Sequence, residues 1–265
     1  MGARLLGMRQ VAKPWGRAVL PAPFMNMGTD PVGEIWFADA GECALPLLAK
    51  YLFTSEKLSI QLHPNDEQAR ARGLASGKEE CWLVIDAAPG AVLGIGTLRP
   101  LDAGELRAAA LDGSIEALMD WKPVARGDFF YIPAGTVHAI GAGVSLIEVQ
   151  QNADITYRLY DYGRPRELHL DDGVAVADAR PYADQRARHV DLAQDQMLVD
   201  GPIFRVMLGG DQCDLAGSGA SLILPLAGRA FAGGTSAGPG DCLAVDAGTP
   251  WHAEPEARLL IARMV

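Results

Sequence analysis

Cysteine, histidine and positive charge are all scarce in this chain. Four cysteines (Cys43, Cys81, Cys213, Cys242) are scattered through 265 residues with no C-x-x-C spacing. That excludes a disulfide scaffold and a four-thiolate zinc site, and points to reduced thiols in a cytoplasmic protein. Lys+Arg number 23 against 33 Asp+Glu, a net charge of −10. A nucleic-acid binder would want a basic patch or stripe, and an anionic membrane surface would repel such a chain. No apolar run approaches the roughly 18 residues needed to span a bilayer. The opening MGARLLGMRQVAKPWGR has neither an uninterrupted apolar stretch nor a small-residue cleavage site, so no signal peptide is expected. An acidic total can still hide a local basic site for a small anion. Five histidines, His63, His138, His169, His189 and His252, make a short list for any metal site.

What the chain does have is apolar content (49%), 30 glycines and 17 prolines, the mixture of a core-forming protein with many short strands and turns. Strands are predicted over 57–62, 81–86, 129–132, 144–150, 204–208 and 221–226, each bounded by Gly, Pro or Asp. Helical signals are local. Pro64 with Asn65, Asp66 and Glu67 has the composition of a first turn, and Gly73 would end it. Asp102 and Glu105 form a capping box for a helix through Ala110, and Ser114 could cap a second turn to Met119. The class is therefore mainly β, with a small helical insert at about 98–120.

One weak repeat organises the rest. GDFFYIPAGTVHAI begins at Gly127 and GDCLAVDAGTPWHAE at Gly240; Gly, Asp, Ala, Gly and Thr recur at an offset of 113. His138 and His252 are offset by 114, because the second copy has one more residue. Two related barrels are expected rather than a solenoid: residues 1–170, then a polar connection over 171–200, then a smaller C-terminal barrel over 201–265.

The spacing Gly127, Pro133, Gly135, His138 resembles the second signature motif of the cupins, small jelly-roll β-barrels whose mouth holds a metal. The first motif would then lie in Gln61-Leu62-His63-Pro64 and Lys78-Glu79-Glu80-Cys81-Trp82. Gln61 and His63, two apart, leave one face of a strand, while Glu79 points opposite to Glu80. Gln61, His63, Glu80 and His138 make an O/N/O/N ligand set that suits zinc and admits other divalent ions. The alternative is that His63 caps the short helix and His138 is a satisfied barrel histidine. His252 lacks a partner of the Gln-x-His kind and has Asp246 in place of the turn proline, so a structural or vestigial role is expected for it.

A narrower resemblance follows from SIQLHPND, GKEECW, GDFFYIPAGTVHAIG and IEVQQNADITYRLYDYGR, with Trp15 and Gly16 of KPWGR. These segments, over roughly residues 10–170, resemble the type I phosphomannose isomerases, in the short bacterial form. The resemblance implies a cupin fold with a second, smaller cupin-like domain. It also implies one zinc ion per chain, and interconversion of mannose 6-phosphate and fructose 6-phosphate through a cis-enediolate. It places the zinc on Gln61, His63, Glu80 and His138. Lys78 and Arg158 become the cations for phosphate or oxyanion, and Glu148 and Asp154 the acid/base candidates. Many relatives have Pro or Thr where this chain has Glu79, which could change the charge near the phosphate. The implied partner is a small-molecule sugar phosphate, and the implied assembly a monomer or small homo-oligomer. Two other readings keep the fold: a non-catalytic sugar-binding or regulatory cupin, and a dioxygenase-like cupin metalloenzyme.

Overall fold

The structure, a computed structural model, describes residues 2–38, 45–211, 213 and 215–265; Cys43 lies outside them. Strand far outweighs helix in the regular secondary structure and is arranged as stacked layers. A five-stranded sheet runs in the order Tyr157–Tyr160, Ile60–Leu62, His138–Ile140, Val92–Thr97, Met119–Pro123. A seven-stranded sheet has the order Arg188–His189, Asp128–Ile132, Glu80–Ala87, Val144–Gln151, Leu47–Phe53, Val32–Ala38, Gly7–Arg17. Trp82, Val84, Leu52 and Leu146 of the larger sheet pack with Leu93, Ile95 and Ile140 of the smaller. The two sheets therefore face each other across one apolar interior, as a jelly roll requires.

Alternation along the strands explains why the runs look continuously apolar. In Glu80–Ala87, Trp82 and Val84 face this interior, whereas Cys81 and Leu83 face a second core. That second core is shared with Val206, Leu208, Leu222, Leu224 and Leu260 of a six-stranded C-terminal sheet. The seven-stranded sheet is thus buried on both faces, and alternation gives way to unbroken hydrophobic sequence. The C-terminal sheet packs its other face on a three-stranded sheet, Thr235–Ala237, Ala230–Ala232, Trp251–Ala253. Its edge strand is Ala3–Leu5, paired with Leu243–Val245, so the start of the chain is woven into the C-terminal layer.

The repeat is real in the backbone. Gly127 and Gly240 have φ of +95° and +91°, and Gly135 and Gly248 +83° and +77°, so each pair occupies the same left-handed turn position. The strands that follow are His138–Ile140 and Trp251–Ala253. Trp251, not His252, therefore holds the position equivalent to His138. A one-residue shift flips a strand's side chains to the other face, and His252 is exposed, stacked on Phe231 at 5.1 Å.

The helices refine the expectation. Asp66–Arg70 is capped by Asn65 through a capping box with Gln68, so Pro64 precedes the cap instead of occupying the first turn. Ala103–Asp112 has the expected Asp102/Glu105 box and ends at Gly113, φ +83°. Ile115–Leu118 follows, but Ser114 makes no side-chain cap; its N–H donates to Asp112. Helix Leu170–Val176 lies in the stretch expected to be irregular. Gly173 at its centre hides the period, and it is small for a reason: a Cβ there would stand 2.7 Å from Leu159. Of the predicted strand 57–62, only Ile60–Leu62 pairs. Cys81, Cys213 and Cys242 are free thiols. Among the described residues no helix is long and apolar enough to cross a membrane.

Candidate metal centre

Two cross-strand rows meet inside the jelly roll. On the larger sheet, Trp36 pairs with Lys50, Lys50 with Glu148, and Glu148 with Trp82. On the smaller sheet, Arg158 pairs with Gln61, and Gln61 with His138. Their neighbours Tyr157, Leu159, Ile60, Leu62 and Ala139 turn the other way into the core beneath the helices. Period-two alternation alone thus aims Gln61, His138 and Arg158 inward. Between the rows lies a cleft whose lining includes Gln61, Lys78, His138, Glu148, Asp154 and Arg158.

His63, Glu80 and His138 offer ligand atoms that all lie within 4.8 Å of one another, and all three are buried. His63 Nδ1 is 2.7 Å from the Ile155 carbonyl and His138 Nδ1 2.8 Å from the Thr136 carbonyl. A carbonyl only accepts, so each Nδ1 carries the proton and each neutral ring presents a lone pair at Nε2. Both Nε2 atoms face Glu80, at 3.5 Å from its two oxygens. Three acceptors converge in one buried spot, with the Lys78 ammonium beside them. Burial, with Lys78 and the neighbouring ring, holds His63 well below its ordinary pKa, and burial pushes His138 down to about 4. Both rings are therefore neutral, as metal ligation needs. The carbonyl contacts fix the ring orientation in the manner of supporting partners at metal sites.

Gln61 turns its amide nitrogen to His138 Nε2 at 3.5 Å, while its Oε1 accepts from Ser59 Oγ at 3.0 Å. Exchanging the two amide atoms by a half-turn would present the oxygen to the imidazoles and leave Ser59 an N–H to accept. The donor set fits a zinc ion: two imidazoles, one carboxylate and an amide.

Lys78 Nζ stands 2.8 Å from Glu80 Oε2, 3.2 Å from His63 Nε2 and 3.9 Å from Glu148 Oε1. Burial would depress its pKa, but Glu80 and Glu148 outweigh burial and raise it, so Lys78 is a fixed cation. Its contact with Glu80 Oε2 is close but poorly directed, leaving that oxygen without a well-formed hydrogen bond. Burial and the neighbouring Glu148 raise the pKa of Glu80. Glu148 is lowered despite burial, by Lys78, by Lys50 at 3.2 Å and by the Trp82 indole N–H at 3.1 Å.

The local backbone is held by two glycines. Gly77 donates its N–H to Asp66, and a Cβ there would stand 2.4 Å from the Asn65 carbonyl carbon. No other residue lets the Lys78–Glu80 segment lie this close to the His63 turn. Gly135 N–H donates to the His63 carbonyl at 2.7 Å, tying the two ligand motifs together.

Arg158 lines the cleft, donates Nη1 to the Glu167 carbonyl at 2.7 Å, and leaves a buried Nε without a partner. Asp154 lines the cleft and is exposed. Glu79 lies outside the cleft lining and accepts from the Tyr131 hydroxyl, so it does not add charge where the other site residues meet. His169 accepts from the Arg158 N–H through Nδ1 at 3.2 Å, and His189 pairs with Asp128 on the surface. Sequence reasoning missed Lys50, Lys13, Glu34, Trp36 and Arg166, all in the cleft lining. Lys50 had a visible signal: one charge inside the otherwise apolar Leu47–Phe53, all of it buried.

No family model matches the chain. A mannose-6-phosphate isomerase of Streptococcus mutans serotype c is 36% identical over 178 residues, 64% of this chain and 56% of that protein. The chain spans about half the length of the curated relatives it matches. In solved structures, the mannose 6-phosphate isomerase from Bacillus subtilis superposes with a TM-score of 0.79 at 25% identity, covering 99% of this chain and 100% of that one. A zinc-bound mannose 6-phosphate isomerase shares the fold at a TM-score of 0.71 and 16% identity, covering 99% of each chain. The resemblance read from the sequence is borne out, and so is the mainly β cupin architecture.

Proposed function

We propose that the chain is a zinc-dependent aldose–ketose isomerase that interconverts mannose 6-phosphate and fructose 6-phosphate through a cis-enediolate. One observation carries the reading: the buried His63–Glu80–His138 cluster adjoins a cleft whose lining combines fixed cations with three carboxylates. The likeness to mannose-6-phosphate isomerases supports the choice of substrate.

Gln61, His63, Glu80 and His138 would hold the zinc. When bound, it supplies Lewis acidity toward the two substrate oxygens that exchange a proton. The chain's own residues then divide the work. Lys78, kept protonated by Glu80 and Glu148, is a permanent positive charge for the developing oxyanion and not a proton carrier. Arg158 offers a forked donor at the cleft wall, suited to phosphate oxygens. Glu148, tied to two lysines and an indole, is a weak base whose role is to set Lys50 and Lys78 in place. Asp154 has neither ion pair nor hydrogen bond among the described residues, so it is the carboxylate we assign to move the proton between C1 and C2.

The test is a coupled assay with mannose 6-phosphate supplied and fructose 6-phosphate detected, on protein as purified, after chelation, and after zinc restoration. Turnover should vanish with the metal and return with zinc. Absence of turnover at every metal loading would instead indicate a binding protein, and turnover by demonstrably metal-free protein would overturn the mechanism.

A further inference from the structure

His63 and Glu80 come from separate segments, the turn after Ile60–Leu62 and the start of Glu80–Ala87, and something must set the gap between them. Gln151 is the last residue of Val144–Gln151 and is buried, 4% exposed. Its neighbour Gln150 pairs in register with Glu80. Gln150 therefore shares the ligand face of the sheet, and Gln151 takes the opposite face with Glu79. The Gln151 backbone N–H donates to the Glu79 carbonyl at 3.0 Å, and the Glu79 N–H donates to Gln151 Oε1 at 2.9 Å. Gln151 Nε2 donates to Asp66 Oδ1 at 2.9 Å, the same oxygen that accepts the Gly77 N–H at 2.8 Å. Asp66 opens the helix that follows the His63 turn. One side chain thus spans the two segments that carry His63 and Glu80.

The partners settle the orientation of this amide. A backbone N–H only donates and an ionised carboxylate only accepts, so Oε1 faces Glu79 and Nε2 faces Asp66. Glutamate here would set carboxylate against carboxylate, and asparagine would be one methylene short. Glu79 is held further through its carboxylate, which accepts from the Tyr131 hydroxyl. Fixing Glu79 at its N–H, its carbonyl and its side chain fixes Lys78 and Glu80 on either side of it, both of which leave on the ligand face. The segments also meet through the Lys78 N–H, which donates to the Pro64 carbonyl at 3.0 Å, and through the Gly77 bond to Asp66. Both of those ties lie before Glu79, so the Gln151 amide is what joins the helix start to the sheet end beside Glu80.

We infer that Gln151, outside the cleft and touching no ligand atom, is a positioning residue that sets the gap between His63 and Glu80 and thereby the affinity of the site for zinc. This inference rests on the metal reading of the His63–Glu80–His138 cluster, and it predicts zinc affinity whether or not turnover occurs.

Zinc affinity of the full chain is measured by competition with a chromophoric chelator, and the visible spectrum is recorded with cobalt in place of zinc. Gln151→Met keeps the length of the side chain and removes both of its hydrogen bonds. It should weaken zinc binding by roughly 10- to 100-fold and shift the cobalt bands. Gln151→Glu should weaken binding at least as much. Adding Asp66→Asn to it should recover part of the loss, because an amide then stands opposite the introduced carboxylate. Ile223→Ala truncates a fully buried side chain of the C-terminal core, and should lower stability while leaving zinc affinity and the cobalt spectrum unchanged. Unaltered zinc affinity in Gln151→Met overturns the inference, as does an equal loss in Ile223→Ala, which would make the effect one of global stability. Should Gln151→Met fail to fold, Asp66→Ala decides from the other end of the bridge: zinc affinity equal to wild type overturns the proposal. Wild type that binds zinc but turns over no sugar phosphate removes the isomerase reading, and the Gln151 comparison still decides. Wild type that binds no divalent ion removes the metal reading and this inference with it.

Discussion

Replacing Lys50 by Met tests whether the row Trp36–Lys50–Glu148–Trp82 is held by charge. The Lys50 and Glu148 side chains are 7% and 5% exposed and 3.2 Å apart. At an effective dielectric of about 20, that separation corresponds to an attraction of about 5 kcal/mol. Each ion loses several kcal/mol of hydration on burial, so the intact pair contributes little net stability. Breaking it is different. Met fills the lysine's volume and keeps contact with Trp36, whose ring lies 4.5 Å from the Lys50 ammonium. Glu148, however, is left buried with only Lys78 at 3.9 Å and the Trp82 indole N–H. Loss of one partner from a buried pair costs about 3–5 kcal/mol, and the two remaining contacts place this site at the lower end, about 3 kcal/mol. Glu148→Gln added to Lys50→Met removes the stranded charge and keeps an acceptor for Trp82, so it should restore about half the loss. Urea unfolding of all four combinations, metal-free, reads the coupling. A cost below about 1 kcal/mol for Lys50→Met, or a double variant no more stable than the single, would refute the electrostatic account of this row.

Other outcomes follow from the same geometry. Arg158→Ala should lower kcat/KM by at least about 100-fold with zinc content unchanged by elemental analysis; equal loss of zinc would remove it from substrate handling. Gly77→Ala pushes a Cβ to 2.4 Å from the Asn65 carbonyl carbon and should destabilise by about 3 kcal/mol and weaken zinc retention; unchanged thermal unfolding would contradict that packing. The metal-free protein should weaken on acidification: His138 is lowered from 6.5 to about 4. The unfolded chain therefore binds more protons, and stability present above pH 6.5 is lost as pH falls toward 4. His138 accounts for up to roughly 3 kcal/mol, and His138→Asn should flatten the stability profile measured between those limits.

The buried cluster of His63, Glu80 and His138 was legible because its signals are local. Gln61 and His63 are two residues apart on one strand, and the glycines around His138 mark a turn that the backbone confirms at φ +95° and +83°. Lys50 and Trp36 were not legible in that way. They reach the cleft only because strands Leu47–Phe53 and Val32–Ala38 pair beside Val144–Gln151, and no sequence spacing encodes which distant strand becomes a neighbour. The second repeat shows the converse. Its histidine stands at the motif's ligand place but is expected to be structural or vestigial, and the structure agrees: one inserted residue puts Trp251 in the inward position and His252 on the surface. Helix Leu170–Val176 was hidden by Gly173, whose absent side chain is what lets it approach Leu159.

The acidic total of −10 bears on partners only after the fold has redistributed it. Lys13, Lys50, Lys78, Arg158 and Arg166 line the cleft against Glu34, Glu148 and Asp154, five cations to three carboxylates, a local surplus of 5 − 3 = +2. Glu80 behind them reduces this to +1, and a divalent ion on His63, Glu80 and His138 would bring it to +3. The sign inside the cleft is therefore opposite to that of the whole chain. Low-dielectric walls of Trp15, Trp36, Leu52 and Trp82 strengthen the field of these charges within the cleft, while the acidic exterior is screened by salt within about 10 Å. An acidic chain can thus still present one pocket of net positive charge among its described residues.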